Sequence, residues 1–241
     1  MIAFLLDTEP TPAMQRRTLI AASLATCTGS AGLFVPVTAH ALSESDAASG
    51  IRTALERGAV AAVGLLGREN GFLGNERVRI PLPEFMEDAA KLLRATGQRK
   101  RVDELVTSMN RAAEQAVPVG KAVLVDAARK ISVQDAVRIV RGSATSVTEY
   151  FAEKTREPLG VKFLPIVTDA TRKVSLAARY NSFADKASAF GLVKPEQANL
   201  QQYITGKALD GLFLMIGEEE KKIRADPVRT GSRILQAVFG K

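Results

Sequence analysis

The most reactive side chains of this protein lie in a segment that is predicted to be removed. The chain has one cysteine, Cys27, and one histidine, His40, and it has no tryptophan. Both residues fall within an N-terminal stretch that has the pattern of an export signal. Once that stretch is cut away, no thiol or imidazole remains. Ser-His-Asp and Cys-His catalysis, zinc held by His or Cys, His-ligated haem and iron–sulfur clusters are then excluded.

The export signal is predicted within residues 14–41. Arg16 and Arg17 form a basic start, a moderately apolar stretch follows, and Ala39-His40-Ala41 is the small-x-small pattern that signal peptidases cut. We expect cleavage after Ala41 and a periplasmic mature protein. Met14 is then a candidate true start, which would make residues 1–13 an extension.

The export route is left open by two alternatives. The paired arginines and the Thr- and Gly-diluted apolar stretch resemble a twin-arginine signal, whereas an ordinary secretory signal can also carry two arginines. The apolar stretch is interrupted, and the cleavage pattern follows it at once. We therefore expect no transmembrane segment after the signal is removed.

Residues 42–241 are long enough for one well-buried core. The net charge of +7 does not change on cleavage, because the removed part carries two arginines and two carboxylates. This balance favours anionic partners such as lipid headgroups, lipopolysaccharide or acidic polymers, and the alternative is an ordinary basic soluble protein. We expect no nucleic-acid partner, because the basic residues are dispersed and aromatics make up only 5%.

Hydrophobic residues recur at helical spacing through most of residues 42–241, with Gly and Pro between the segments. The pattern predicts an all-α single domain of about eight to nine helices. Ser132 and Asn199 are predicted N-caps. Pro158 is predicted to separate two helices, and Pro165 to kink or split the second. A last helix is predicted over 229–239.

One long irregular segment, residues 67–83, interrupts the helical pattern. It contains three glycines and ends in an extended Arg-Ile-Pro-Leu-Pro run. Long ordered loops are disproportionately functional. Arg79 in this run is the best single candidate for contact with an anion.

A second group of candidates lies on the predicted helix over 101–117. Asn110, Arg111 and Glu114 lie opposite its apolar stripe, and Asn110 and Glu114 are neighbours at i, i+4. Small alanines beside them would let another backbone or a ligand approach closely. The alternative is a solvated helix face.

A third group lies on the predicted helix that starts at Asn199. Asp210 is the one charge inside its apolar run over 208–217, so it is either a desolvated site residue or part of a surface ion pair with Lys207 and Lys221. Glu220 projects onto the apolar face. We expect it to lie at a solvated helix end, and the alternative is a salt bridge to another helix.

No metal site and no cofactor are predicted. The carboxylates over 218–220 are dense enough to bind a divalent cation, but their spacing matches no calcium loop. The chain also has no phosphate-binding glycine loop and no dinucleotide fingerprint.

Several strings of the chain are specific enough to compare with known families. They are 71–73 (GFL), 78–83 (VRIPLP), 108–114 (SMNRAAE), 117–118 (VP), 150–151 (YF), 163–165 (FLP), 207–213 (KALDGLF), 219–220 (EE) and 223–224 (IR). These strings resemble a family of exported bacterial proteins that is catalogued as domain of unknown function 4197, and the resemblance covers nearly all of residues 42–241 in the same order. It implies an exported, mostly helical single domain and brings no activity.

Together these observations favour a non-catalytic binding or interaction module for an amphiphile, an anionic lipid or another cell-envelope partner. The alternative is a carboxylate-based hydrolase or lyase that acts on envelope glycans, with Glu114 and Asp210 as its acid pair. A purely structural oligomer is a third reading, and the sequence predicts no oligomeric state. The candidate ligand-binding residues are Arg79, Asn110, Arg111, Glu114, Lys207 and Asp210.

Overall fold

Helices account for all the regular structure in the part of the chain that is described. The structure is a computed structural model that describes residues 44–189, 193, 197–230 and 236. The predicted all-α class is confirmed. The predicted export signal, with Cys27 and His40, lies outside these residues, as does most of the predicted helix over 229–239. The helices are α1 (Glu44–Leu66), α2 (Glu87–Ala95), α3 (Arg99–Ala116), α4 (Gly120–Arg129), α5 (Val133–Arg141), α6 (Ser146–Thr171), α7 (Ser175–Ala189) and α8 (Leu200–Ala225).

Side chains cap two of these helices as predicted. Ser132 Oγ accepts a hydrogen bond from the backbone N–H of Asp135 at 3.0 Å, at the start of α5. Asn199 Oδ1 accepts one from Gln202 N at 3.0 Å, at the start of α8. Each bond satisfies an N–H that has no partner within its helix.

The helix α6 runs through both of its prolines. The predicted break at Pro158 is wrong, because α6 extends without interruption from Ser146 to Thr171. Pro158 and Pro165 are both exposed and lie seven residues apart, on the solvent side of the helix. The carbonyls that lose a partner there can bond water. The opposite side buries Leu159 and Phe163 completely, and this burial favours one continuous helix.

The core lies where α6 and α8 pack along each other. Helix α1 packs against α4, α5 and α8, and α3 packs against α6 and α8. The apolar face predicted for α8 is buried, as Leu212 and Ile216 show at 0% and 1% exposure. These helices form one unit within residues 41–241. None of the described helices is both long and apolar enough to span a membrane.

A buried carboxylate joins α8 to the N-terminus of α6. Glu220 is 6% exposed and accepts hydrogen bonds from Val147 N at 3.2 Å and from Thr148 N and Oγ1 at 3.1 and 3.0 Å. Arg224, one turn further along α8, donates to Glu220 at 3.0 Å and to the carbonyl of Ile139 at 3.2 Å. The expectation of a solvated helix end is therefore wrong. A carboxylate at a helix N-terminus is stabilised by free N–H groups and by the helix dipole.

The absence of a side chain at Gly211 lets the 67–83 loop pack directly against α8. A Cβ atom built at Gly211 would lie 2.8 Å from Cε1 of Phe72 and 3.2 Å from Cβ of Val78. The Phe72 ring is fully buried, so it has little room to move. At Gly206, on the same helix, a Cβ atom would have no neighbouring atom within 4 Å.

We expect Gly211→Ala to lower the free energy of unfolding by about 2 kcal/mol, because the added methyl group overpacks the contact with Phe72. Gly206→Ala is the matched control and should raise it by about 0.5–1 kcal/mol through helix propensity. Urea unfolding of the two variants measures both changes. Equal stabilisation by both substitutions would contradict the close packing at Gly211.

Candidate functional site

The 67–83 loop is held to the core by its own apolar side chains. Phe72, Val78, Ile80 and Leu82 are all buried, and the segment contains no helix, as predicted. Asn70 takes a left-handed conformation with φ of 63° near the start of the loop. Because the loop is not regular structure, its buried backbone groups need partners from elsewhere.

Asn110 of α3 supplies two of these bonds and makes a third to its own helix. Its side chain is fully buried. Oδ1 accepts from Ile80 N at 2.8 Å, and Nδ2 donates to the carbonyls of Ile80 at 3.0 Å and Val106 at 2.8 Å. The amide therefore pairs with both backbone groups of Ile80, as a neighbouring strand would.

Glu114, one turn further along α3, holds the other end of the loop. Its Oε1 accepts from the backbone N–H groups of Phe72 and Leu73, both at 3.0 Å. Its Oε2 accepts from Arg111 at 2.6 Å, and the carboxylate is only 4% exposed. Arg111 also donates to Asn70 Oδ1 at 3.0 Å. We call Asn110, Arg111 and Glu114 the loop clamp.

The loop clamp brings three of the predicted site residues together, but their partners belong to the protein itself. The backbone that approaches α3 beside Asn110 and Glu114 is that of the 67–83 loop. Asn110 and Glu114 can contact a ligand only by releasing this loop. Arg111 keeps 29% of its side chain exposed, and it also pairs with Glu69 at 3.1 Å.

Tyr203 of α8 is a third anchor, which the sequence did not single out. Its hydroxyl donates to the carbonyl of Pro81 at 3.2 Å. Burial is the main cause that raises the pKa of Tyr203 to about 12, and the negative charges of Glu87 and Asp210 add to it. The neutral phenol is thus the form that holds the loop.

Lys207 and Asp210 lie in a different group, on the exposed side of α8. Asp210 Oδ1 accepts from Arg156 of α6 at 2.7 Å, and Lys207 lies 3.9 Å from Oδ2. The Arg156 guanidinium also stands 5.3 Å from the centre of the Phe213 ring. Lys221 pairs with Glu218 instead, at 3.4 Å. Asp210 therefore has the contacts of a surface ion pair, to which α6 contributes the closest cation.

A hydrolase that uses a pair of carboxylates needs both of them to reach the substrate. Glu114 accepts three hydrogen bonds from the protein and is buried. Asp210 is bound to Arg156. These contacts favour structural roles for both carboxylates.

Arg79 occupies a cleft of about 240 Å³ between the 67–83 loop, α2 and α3. The Ile80 side chain turns inward, where the loop clamp holds its backbone, and Arg79 is exposed beside it. Alternate residues of an extended segment face opposite sides, so the clamp at Ile80 also sets the position of Arg79. The lining residues are Arg79, Pro81, Leu82, Glu87, Arg94, Asp103, Val106 and Thr107. We call this space the Arg79 cleft.

The charged groups of the Arg79 cleft are not paired with each other. Arg79, Arg94, Glu87 and Asp103 form no ion pair or side-chain hydrogen bond with any residue in the described ranges, whereas Arg77 nearby pairs with Glu218 at 3.0 Å. Each free guanidinium offers a planar set of donors that matches a carboxylate or phosphate. Sequence patterns gave no signal for Arg94, because only the packing of α2 on α3 brings it to Arg79.

The comparisons with known proteins place the chain in one family. Residues 41–240 match the family described as Protein of unknown function (DUF4197). The chain belongs to this family. The DUF4197 chain matches no curated protein and no solved structure. Within its described ranges, no group of three or more Asp, Glu, His or Cys side chains is placed to hold a metal ion.

We expect Glu114→Ala to lower the free energy of unfolding of this DUF4197 protein by about 3 kcal/mol, because two loop N–H groups lose a charged acceptor. Amide exchange at Phe72 and Leu73 should accelerate. Gln115→Ala, at the exposed neighbouring position, should change stability by less than about 0.5 kcal/mol. Unchanged exchange in the Glu114 variant would refute the loop clamp.

Tyr203 should make the protein less stable at alkaline pH. Its folded pKa of about 12 lies above the value near 10 of an unfolded tyrosine, so its contribution is complete below pH 10 and falls as pH rises to 12. This one residue can lower the free energy of unfolding by at most about 1.4 kcal/mol per pH unit. Between pH 8 and 12, the free energy of unfolding should fall less steeply with pH in Tyr203→Phe than in the wild type. Identical slopes would show that Tyr203 does not titrate with folding.

Proposed function

We propose that this DUF4197 protein is an exported, non-catalytic binding module, and that its ligand is an anionic component of the cell envelope. The ligand occupies the Arg79 cleft. One observation carries the proposal: two guanidinium groups without ion-pair partners in the described chain, Arg79 and Arg94, line the same small cleft. Two arginines that face one anion can each donate a charge-assisted hydrogen bond.

The rigidity of the cleft supports binding. Arg79 lies in the 67–83 loop, whose backbone is held by Asn110 and Glu114, and its own N–H donates to Asn75 O at 2.8 Å. A site whose backbone is already ordered loses less entropy when a ligand binds.

The lining of the cleft supports a polar ligand over an acyl chain. Its apolar wall consists of Pro81, Leu82 and Val106, and the remaining lining side chains are charged or carry a hydroxyl. An acidic sugar or a phosphorylated headgroup meets more partners there than a hydrocarbon tail does. The net charge of +7 would attract such ligands from the surroundings.

The test uses glucuronate and glucose 1-phosphate as anionic probes and glucose as the neutral control, with binding measured by calorimetry. We expect both anions to bind at least about tenfold more tightly than glucose. Arg79→Gln and Arg94→Gln should each weaken anion binding by about tenfold or more, because a hydrogen bond to a charged group contributes about 1.5–3 kcal/mol.

Arg172→Gln is the control for the loss of one positive charge. Arg172 is 72% exposed and lies at the end of α6. This variant should bind like the wild type. If neither anion binds, or if the Arg79 and Arg94 variants bind as tightly as the Arg172 variant, the proposal is wrong.

A further inference from the structure

The Arg79 cleft borders a second, open depression along α3. This depression has a volume of about 700 Å³ and follows the first half of the helix. Asp103 and Thr107 line both spaces, so the two lie side by side on α3. We call the whole the α2–α3 trough. The charged and hydroxyl side chains that line its second part are Arg99, Lys100, Asp103, Glu104, Thr107 and Ser108.

The size of the trough exceeds what one small anion needs. The Arg79 cleft alone lies below the roughly 300–1,000 Å³ typical of small-molecule sites. From Arg99 to Ser108 the helix rises by about 14 Å. A ligand that fills the trough is therefore extended along α3.

The charged side chains of the second part form no ion pairs with the described residues, although their spacing would allow pairing. Arg99 and Asp103, and likewise Lys100 and Glu104, stand at i, i+4, where ion pairs commonly form. Neither pair is formed in the described structure, whereas α2, α4, α5 and α8 each carry such pairs at i, i+3 or i, i+4. The cations and carboxylates of the trough are thus free to meet a ligand.

The mixture of groups identifies the chemistry of the ligand. Arg79, Arg94, Arg99 and Lys100 would bind negative charges. Carboxylates and the Thr107 and Ser108 hydroxyls would accept hydrogen bonds from hydroxyl groups. A polyphosphate has no hydroxyl donors along its chain, and the trough carboxylates would repel it. A linear acidic glycan carries both kinds of group.

We infer that the ligand of the Arg79 cleft is one unit of a linear acidic oligosaccharide, and that the next unit lies along α3. The first acidic sugar binds Arg79 and Arg94. The second binds Arg99 and Lys100, and Asp103 and Thr107 hold hydroxyl groups between them. This inference rests on the proposed function, because it extends the same site.

The test measures how affinity depends on ligand length. The probes are galacturonate and its α-1,4-linked dimer and tetramer, titrated at one fixed ionic strength. For the wild type we expect affinity to rise at least about tenfold from monomer to tetramer. The double variant Arg99→Gln/Lys100→Gln should lose this gain and still bind the monomer like the wild type. Retained monomer binding also shows that the variant is folded.

Three controls separate specific from general effects. Lys221→Gln/Lys222→Gln removes the same charge from two exposed positions on α8 and should keep the gain with length. Maltotetraose, which is neutral, should bind at least about tenfold more weakly than the galacturonate tetramer. Tetraglutamate has the charge without the sugar hydroxyls and should bind more weakly as well.

The outcomes distinguish this inference from the proposed function. If galacturonate binds through Arg79 but the tetramer binds no better, the extended site is refuted and the anion site stands. A gain with length that survives the Arg99/Lys100 double variant also refutes the second subsite. Equal binding of tetraglutamate refutes the glycan assignment. If no anionic probe binds, the proposed function itself fails.

Discussion

The fold around the candidate site depends on buried hydrogen bonds between two side chains of α3 and the backbone of the 67–83 loop. The loop has no regular partner for its buried amides, and an unpaired buried N–H is costly. Asn110 pairs with both backbone groups of Ile80, and Glu114 accepts from Phe72 and Leu73. These bonds let an irregular segment lie on a helical core, against a glycine of α8.

The two halves of α3 therefore have different structural roles. Its second half carries the loop clamp and faces inward. Its first half buries Val102 and Leu105 on one side, and its exposed side lines the α2–α3 trough with Asp103 and Thr107. Because the clamp fixes Ile80, it also places Arg79 at the edge of that trough. A change in the clamp would therefore alter the cleft without touching a residue that lines it.

Glu220 serves the fold in the same manner as Glu114. Each is a buried carboxylate on a helix, and each accepts hydrogen bonds from backbone amides far away in the sequence. Each also has an arginine from its own helix beside it, Arg111 and Arg224. A buried charge is tolerated where donors and a counter-charge surround it. Buried carboxylates of this kind can be mistaken for catalytic ones when only the sequence is read.

The sequence by itself determined the all-helical class, the irregular loop at 67–83, the caps at Ser132 and Asn199 and the family. The structural features follow from helical periodicity, from Gly and Pro, and from bonds between residues three apart, which are all local, whereas the family follows from the matching strings. Packing decided the rest. Packing keeps α6 continuous through Pro158 and buries Glu220 against the start of α6. It also places Arg94 and Arg79 in the lining of the same cleft. The loop clamp joins residues 30 to 42 positions apart. No local pattern encodes such pairs, because their partners meet only when the helices are packed.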